Sequence, residues 1–401
     1  MTQHELPTVD IRDQAEQPAR WGGVLAMTLC VFALIASEFM PVSLLTPIAG
    51  DLGVTEGQAG QGIAISGAFA VVTSLSVTTI AARMDRKRLL LVLTAIMAAS
   101  AALVGFAPNY LVYMIGRALI GVVIGGFWSM SAATAMRLVP AHLVPRALAV
   151  FNGGGALASV IAPPLGSYLG AVVGWRGAFY AIVPIAVVAF VWQAIALPRL
   201  PAPGSALRVG GVFAPLRRRP IVIGLLACAA FFMGQFTLFS YVRPFLETVT
   251  GADAPTVSLV LLVVGIGGLV GSAIVGRFVE RDLYLTVTVI PAAMAVIAGL
   301  LLAGGGWLWA TIILFAIWGL LSTAAPVGWW SWVARVMPNE AEAGGGLMVA
   351  TVQLSIAAGS AIGGLLFDGI GHGGAYGMSA LLLAAGAILA FRAGRMSGRA
   401  G

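Results

Sequence analysis

The chain has 401 residues, of which 60% are hydrophobic and 9% are charged, and its formal net charge is +7. Soluble domains carry about 25% charged residues, so this chain cannot cover a surface that faces water. The positive charge suggests nucleic acid at first sight. However, nearly all basic residues are arginines between apolar segments, as expected of membrane-topology signals. We therefore expect no nucleic-acid partner.

Twelve long apolar stretches follow a polar tail at residues 1–20, which does not resemble a signal peptide. A membrane-spanning helix needs about 20 mostly apolar residues, and its backbone groups must be satisfied within the segment. The sequence therefore predicts an all-α membrane protein with twelve transmembrane helices in the lipid bilayer. The predicted spans are 21–46, 57–80, 89–106, 110–136, 146–170, 175–197, 220–246, 255–279, 284–303, 307–334, 344–367 and 373–391.

The arginines predict the orientation of these spans. If the N-terminus is cytoplasmic, the inside segments collect nearly all of them, including Arg217, Arg218 and Arg219, whereas the outside segments receive Arg176 and Arg243 at most. This is the positive-inside pattern. It places both termini, including a tail at residues 392–401, in the cytoplasm and the protein in the inner membrane of a bacterium.

A Pro- and Gly-rich linker at residues 198–219 divides the chain into an N-terminal half, 21–197, and a C-terminal half, 220–391. The halves resemble each other weakly. Gly126-Phe127-Trp128-Ser129 in the fourth span matches Gly328-Trp329-Trp330-Ser331 in the tenth. Two six-helix pseudo-repeats of this kind are typical of transporters, with the substrate site near the midplane between them.

Metal, disulfide and cofactor sites are not predicted. Cys30 and Cys228 both lie in apolar helices, and the three histidines fall in tails or loops. A membrane-embedded enzyme would be expected to keep acidic pairs, His clusters or a nucleophile with its base. A channel would be expected to show a ring of charges or a filter segment. Neither pattern occurs in the sequence.

Three motifs resemble those of the major facilitator superfamily, in its drug/proton antiporter branch. After the second span, Ala81-x-x-x-Asp85-Arg86-Lys87-Arg88 stands where the family has Gly-x-x-x-Asp-Arg-x-Gly-Arg, without the two glycines. The fourth span carries Arg117-x-x-x-Gly121-x-x-x-Gly125. The fifth carries the antiporter motif as Ala158-x-x-x-Ala162-Pro163-Pro164-Leu165-Gly166. The resemblance implies the major facilitator fold and a cytoplasmic gate formed by Asp85 and Arg86 against the start of span eleven. Alternatively, Asp85 lies in a solvated loop and has no role in gating.

A narrower resemblance lies in the segment from Glu38 to Pro47, in Gly125–Ala132, and in Pro326-Val327-Gly328-Trp329. These segments are similar to bacterial purine ribonucleoside exporters. The resemblance implies a monomeric antiporter that exports inosine and guanosine in exchange for protons by alternating access. Efflux of a sugar or of amphiphilic drugs by the same mechanism remains an alternative.

Glu38 is the acid that lies well inside a span, where an ionisable group is costly and usually faces a cavity or a partner. It lies about 12 Å below the outer end of its span, and Arg117 lies about 10 Å below the same surface, at 1.5 Å per residue. Burial favours the neutral acid, and a nearby guanidinium favours the carboxylate. We expect Glu38 to couple protons to transport and Arg117 to tune it. The alternative is a static ion pair that holds spans one and four together.

A purine nucleoside is flat, polar and uncharged, so aromatic faces and amides would recognise it. Such side chains inside apolar spans, where an unpartnered amide is costly, are the candidates for substrate binding. They are Trp128, Asn152, Gln235, Phe236, Tyr241, Trp330 and Gln353. For each amide, a bond to a neighbouring helix is the equally reasonable interpretation.

Overall fold

The computed structural model describes residues 19–80, 84–201, 214–338 and 341–397. Three sequence expectations fall outside these residues. They are the tail up to residue 18, most of the linker between the halves, and Ala81 of the first motif.

The described part of the chain is helical and contains no strand. Twelve stretches are long and apolar enough to cross a membrane, which confirms the predicted number. The helices are α1 (Trp21–Leu52), α2 (Glu56–Ile80), α3 (Arg86–Phe106), α4 (Tyr110–Trp128), α5 (Ser131–Met136), α6 (Val144–Val172), α7 (Gly174–Tyr180), α8 (Ile182–Ala196), α9 (Arg219–Phe239), α10 (Val242–Thr248), α11 (Ala254–Arg281), α12 (Leu283–Gly304), α13 (Leu308–Val336), α14 (Ala341–Ile370) and α15 (His372–Ser397).

The fourth, sixth and seventh predicted spans are each interrupted once. In the fourth, the Ser129 hydroxyl donates to the Gly125 carbonyl at 2.7 Å, a local bond that competes with the helix ladder. In the seventh, Pro244 has no N–H to donate to the carbonyl of Ser240, and the helix breaks at that point. These interruptions separate α4 from α5 and α9 from α10.

Two helices extend furthest beyond their predicted ends. α1 continues past residue 46 to Leu52, where Gly53 takes a left-handed conformation with φ of 64° and ends the helix. α15 continues past residue 391 to Ser397, so part of the predicted C-terminal tail is helical. The predicted ends of each span lie where the apolar residues stop. A helix can continue past that point, beyond the hydrocarbon and into water.

The spans alternate in direction, so two ends of the bundle can be distinguished. We call the end at which α1 begins and α15 ends the terminal end, and the opposite end the distal end. If the predicted orientation holds, the terminal end faces the cytoplasm.

Two hydrophobic cores form within the bundle. One is built from residues between Val24 and Leu197, joined by Tyr241 from the second half. The other is built from residues between Ile221 and Ala390, joined by Val42 and Ile63 from the first half. We infer that the two six-helix halves are separate packing units that share a boundary.

Close helix crossings within each half depend on paired glycines. A Cβ atom at Gly121 or Gly125 of α4 would overlap backbone carbonyls of α2, and one at Gly267 or Gly271 of α11 would overlap carbonyls of α13. Small residues let transmembrane backbones approach closely. These glycines therefore allow close helix crossings at equivalent places in the two halves.

The halves meet mainly through two helix pairs, α2 with α14 and α6 with α11, and also where the short helix α10 contacts α1. Hydrogen bonds between them gather at the distal end. Thr55 donates its hydroxyl to the Asp368 carboxylate at 2.5 Å, and the backbone N–H of Gly57 donates to the same carboxylate at 2.9 Å. The Ser360 hydroxyl donates to the Gly60 carbonyl at 3.2 Å. The distal end is thus closed, and the space between the halves lies on the terminal side.

Candidate functional site

A cavity of about 390 Å³ lies between the two halves, within the size range of small-molecule sites. Side chains from both halves line it. Glu38 of α1, which is 6% exposed, lies in its wall. Glu38 is the one ionisable residue among the lining residues of the described chain. The carboxyl group of Glu38 therefore faces the space between the halves.

Arg117 of α4 is fully buried beside Glu38, but it does not form an ion pair with the carboxylate. Its Nη1 donates to the carbonyl of Ser37 at 2.8 Å, and its Nη2 donates to the carbonyl of Glu38 at 3.3 Å and to the Ser66 hydroxyl at 3.0 Å. Its Nε donates to the carbonyl of Gly62 at 3.1 Å. The guanidinium therefore joins α4 to α1 and α2 through main-chain oxygens, and the static ion pair considered from the sequence is not formed.

Pro41 explains why α1 offers Arg117 a free acceptor. In an uninterrupted helix the carbonyl of Ser37 would accept the N–H of residue 41, but proline has no N–H. A carbonyl left unpaired in a membrane is costly. Arg117 replaces the missing donor, so its charge acts on Glu38 from close by while the carboxyl group remains turned towards the cavity.

Two glutamines of the second half face the cavity with unsatisfied oxygens. Gln353 of α14 is 7% exposed and lies beside the Glu38 carboxyl group. The Oε1 atoms of Gln353 and of Gln235, on α9, are buried without a hydrogen-bond partner. A buried amide oxygen without a donor is unfavourable. Both amides are thus available to a ligand that brings N–H or O–H groups.

Aromatic rings from both halves complete the lining. Phe39 of α1 and Phe236 of α9 stack across the boundary, with ring centroids 6.0 Å apart. Trp128 of α4 and Trp330 of α13 line the cavity at its terminal side, and Trp330 is 46% exposed. These rings offer flat apolar faces to a planar ligand.

Two of the seven predicted binding residues lie elsewhere. Asn152 of α6 is exposed and is not among the lining residues. Tyr241 is fully buried in the distal closure, where its hydroxyl donates to the Ser360 carbonyl at 2.8 Å and its ring stacks on Phe367. Its position at the break between α9 and α10 aims it away from the cavity.

The lining also contains residues that were not predicted to bind substrate, among them Phe39, Ser322, Thr323 and Pro326. Phe39 directly follows Glu38, and its type alone could have suggested it. The hydroxyls of Ser322 and Thr323 donate to the carbonyl of Gly319 in their own helix. Such residues are common in helices, so nothing in the sequence marks them as lining a cavity.

The antiporter motif lies on the same helix face as the cavity. Pro163 lines the cavity, whereas Ala162 is buried behind it. Gly166 packs against α1, because a Cβ at this position would lie 2.7 Å from the hydroxyl oxygen of Ser43. The motif therefore fits α6 closely against the helix that carries Glu38.

Asp85 and Arg86 lie at the terminal end, away from the cavity. Asp85 caps α3 by accepting the N–H of Lys87 at 2.9 Å, and its other oxygen accepts the N–H of Leu200 at 2.8 Å. The backbone N–H of Arg86 donates to the Leu200 carbonyl at 2.8 Å. In this conformation these bonds hold the start of the linker to α3.

The family model described as Major Facilitator Superfamily matches residues 27–360. The chain belongs to this superfamily. It is accordingly a membrane transporter with twelve spanning helices, and not a catalytic enzyme.

Two curated relatives have informative names. This major facilitator protein is 57% identical over 407 residues to the "Transcription regulatory protein OpdE" of Pseudomonas aeruginosa, with 100% of each chain covered. It is 38% identical over 372 residues to the "Purine ribonucleoside efflux pump NepI" of Salmonella paratyphi B, with 91% of this chain and 94% of the relative covered.

Solved structures of other superfamily members share the fold. A bacterial homologue of the human lysosomal transporter Spinster, in an inward-facing and unoccupied conformation, superimposes with a TM-score of 0.76 at 15% identity, covering 95% of this chain and 98% of that one. A D-xylose–proton symporter gives a TM-score of 0.73 at 14% identity, covering 94% and 98%.

Proposed function

We propose that this transporter exports purine ribonucleosides such as inosine and guanosine in exchange for protons. The observation that carries the proposal is that Glu38 lines one cavity between the halves together with Gln353 and Gln235, whose amide oxygens have no hydrogen-bond partner. The 38% identity to a protein named as a purine ribonucleoside efflux pump supports the substrate class.

The cavity chemistry suits a flat, neutral and polar ligand. The rings of Trp128, Trp330 and Phe236 can stack on a purine, and the two free amide oxygens can accept hydrogen bonds from the base edge or the ribose hydroxyls. Since Glu38 is the one ionisable residue among the described lining residues, this wall has no basic side chain to bind an anion.

Glu38 can couple a proton to this ligand through Gln353. As a carboxylate, Glu38 accepts a hydrogen bond from the Gln353 amide N–H, and the amide oxygen is left for the substrate. As a neutral acid, Glu38 can donate its own O–H to that oxygen. Proton and nucleoside then compete for one acceptor, which is the condition for exchange.

In this proposal the terminal end faces the cytoplasm, with both termini inside and the protein a monomer in the bacterial inner membrane, and the inward proton gradient then drives export. The cavity, open on the terminal side, would release a proton to the cytoplasm and take up a nucleoside there. Exchange of a neutral solute for one proton moves one net charge, worth about 2.3 kcal/mol per 100 mV. Asp85 and Arg86 would close the terminal end in the opposite conformation.

Purified protein in liposomes tests the proposal directly. We expect labelled inosine to exchange under an imposed pH gradient and unlabelled guanosine to compete with it. Arabinose and a cationic dye serve as the competing substrate classes. Transport of the dye or the sugar with no exchange of inosine would assign the protein to the alternative, sugar or multidrug efflux.

The name of the 57% identical relative favours a second candidate, a membrane protein whose activity changes transcription. A transporter can do this by setting the internal concentration of a solute that a separate regulator senses. The liposome experiment tests exchange by the purified protein alone, which a membrane protein that only regulates transcription would not perform. A protein that changes transcription but exchanges none of these solutes would support the regulatory role.

A further inference from the structure

Arg243 belongs to the second half of the chain, but its guanidinium is buried against the first half. Its side chain is 7% exposed. Nη1 donates to the carbonyl of Ser43 on α1 and, at 3.4 Å, to the hydroxyl of Ser167 on α6. Nε donates to Glu247, one turn further along α10, at 2.8 Å. This one side chain therefore spans the boundary between the halves at the distal end.

The carbonyl of Ser43 is free because Pro47, four residues later, has no N–H to donate. The arrangement repeats that of Pro41, Ser37 and Arg117 on the same helix. The two arginines differ in one respect. Arg117 lies in the same half as α1, so its bond can persist when the halves move, whereas the bond from Arg243 exists only while the distal ends are together.

The groups around Arg243 allow its guanidinium to bind α1 and to leave it again. Gly166 of the antiporter motif lets α6 approach Ser43, which brings the next residue, Ser167, within reach of the guanidinium. Glu247 pairs with Arg243 inside its own half, so the charge keeps a partner when it leaves α1. When the guanidinium leaves α1, the Ser43 carbonyl loses its hydrogen-bond donor. Pro47 has no N–H that could take its place.

We propose that Arg243 is the latch of the distal gate. It holds the halves together by donating to the main-chain oxygen that Pro47 leaves free, and it must release this oxygen before the distal side can open. Arg243 is thus a positioning residue for the transport cycle. The proposal depends on alternating access and not on the nucleoside assignment, so the two can fail independently.

Spin labels on the two halves can test the latch. Gly50 at the end of α1 and Gly369 at the end of α14 are exposed, and a side chain at either position would meet no atom within 4 Å. The labelled protein carries cysteines there, with Cys30 and Cys228 replaced by serine. In Arg243→Gln we expect the short-distance population to move to longer distances, and proton-driven exchange to fall by about tenfold or more as the closed form is lost.

The variant Pro47→Ala separates a latch from a purely structural role. In the Arg243→Gln background it gives Ser43 a helix N–H again, so we expect it to restore thermal stability but not the short distances. Recovery of both would overturn the proposal, as would unchanged distances in Arg243→Gln. If that variant does not fold, Ser167→Ala, which removes the second acceptor of the guanidinium across the boundary, must shift the same distances in the same direction; no shift would equally overturn it.

Discussion

Arg117 donates a hydrogen bond of 2.8 Å to the carbonyl of Ser37, the carbonyl that Pro41 leaves without a helix donor. The proline-containing helix and the buried charge therefore depend on each other. Glu38, the neighbour of Ser37, is positioned by this contact with its carboxyl group at the cavity. The arginine acts on the acid through the backbone of α1, not through an ion pair.

Replacing Arg117 should therefore have its main effect on the stability of the folded protein and not on the coupling of protons to transport. We expect Arg117→Gln to destabilise the folded protein by about 3 kcal/mol, because several buried hydrogen bonds to a charged group are lost. Pro41→Ala in the same chain restores an N–H to Ser37 and should recover part of the loss. Thermal unfolding in detergent measures both. A fully stable Arg117→Gln protein would contradict this role.

Replacing the acid should uncouple transport from protons. In Glu38→Gln we expect the imposed pH gradient to stop driving inosine export, with a loss of about tenfold or more, and the pH dependence of exchange to disappear, since glutamine cannot bind the proton. Glu280→Gln, which alters an exposed acid outside the cavity, is the matched control. Normal gradient-driven export by Glu38→Gln would remove Glu38 from the mechanism.

Removing a cavity amide should weaken substrate binding. We expect Gln353→Ala and Gln235→Ala each to raise the KM for inosine by about tenfold, the value of one hydrogen bond in a buried site. Gln353→Ala should also change the pH dependence, because it contacts Glu38, whereas Gln235→Ala should not. Asn152→Ala, outside the cavity, should leave KM unchanged. Equal effects of all three substitutions would indicate a general loss of folding.

The glycine crossings can be tested with alanine. Gly125→Ala and Gly271→Ala place a methyl group on carbonyl oxygens of Ala70 and Leu320. We expect each to cost about 1–3 kcal/mol, because a packed crossing must separate. Gly299→Ala, which would meet no atom within 4 Å, is the control and should be neutral. The yield and unfolding temperature of the purified variants measure the difference. Tolerance of alanine at both crossings would show that the helices can move apart freely.

Much of the architecture could be predicted from the chain alone. Long apolar runs fold as helices in a membrane wherever they occur, so the twelve spans are a local property and were confirmed. The paired glycines and the family motifs are likewise visible in the sequence. The helix break before Pro244 was missed, because hydropathy does not register the loss of a backbone donor.

Partners across the bundle could not be predicted in the same way. Equal depth made an ion pair between Arg117 and Glu38 one possible arrangement, but depth does not give the direction in which a side chain points. Tyr241 and Gln353 are both polar groups within apolar helices, yet one seals the distal closure and the other faces the cavity. The rotation of each helix about its axis and its crossing angle decide whether such a side chain faces the cavity or a packed interface.

The sequence by itself thus determined the membrane class, the twelve helices and the presence of one deep acid, Glu38, because each is a property of a single segment. The tertiary structure decided that Arg117 and Arg243 bind the carbonyls of Ser37 and Ser43, and that Gln353 meets Glu38. These contacts join residues far apart in the chain. They arise from helix packing, which brings buried donors to the acceptors that two prolines leave free.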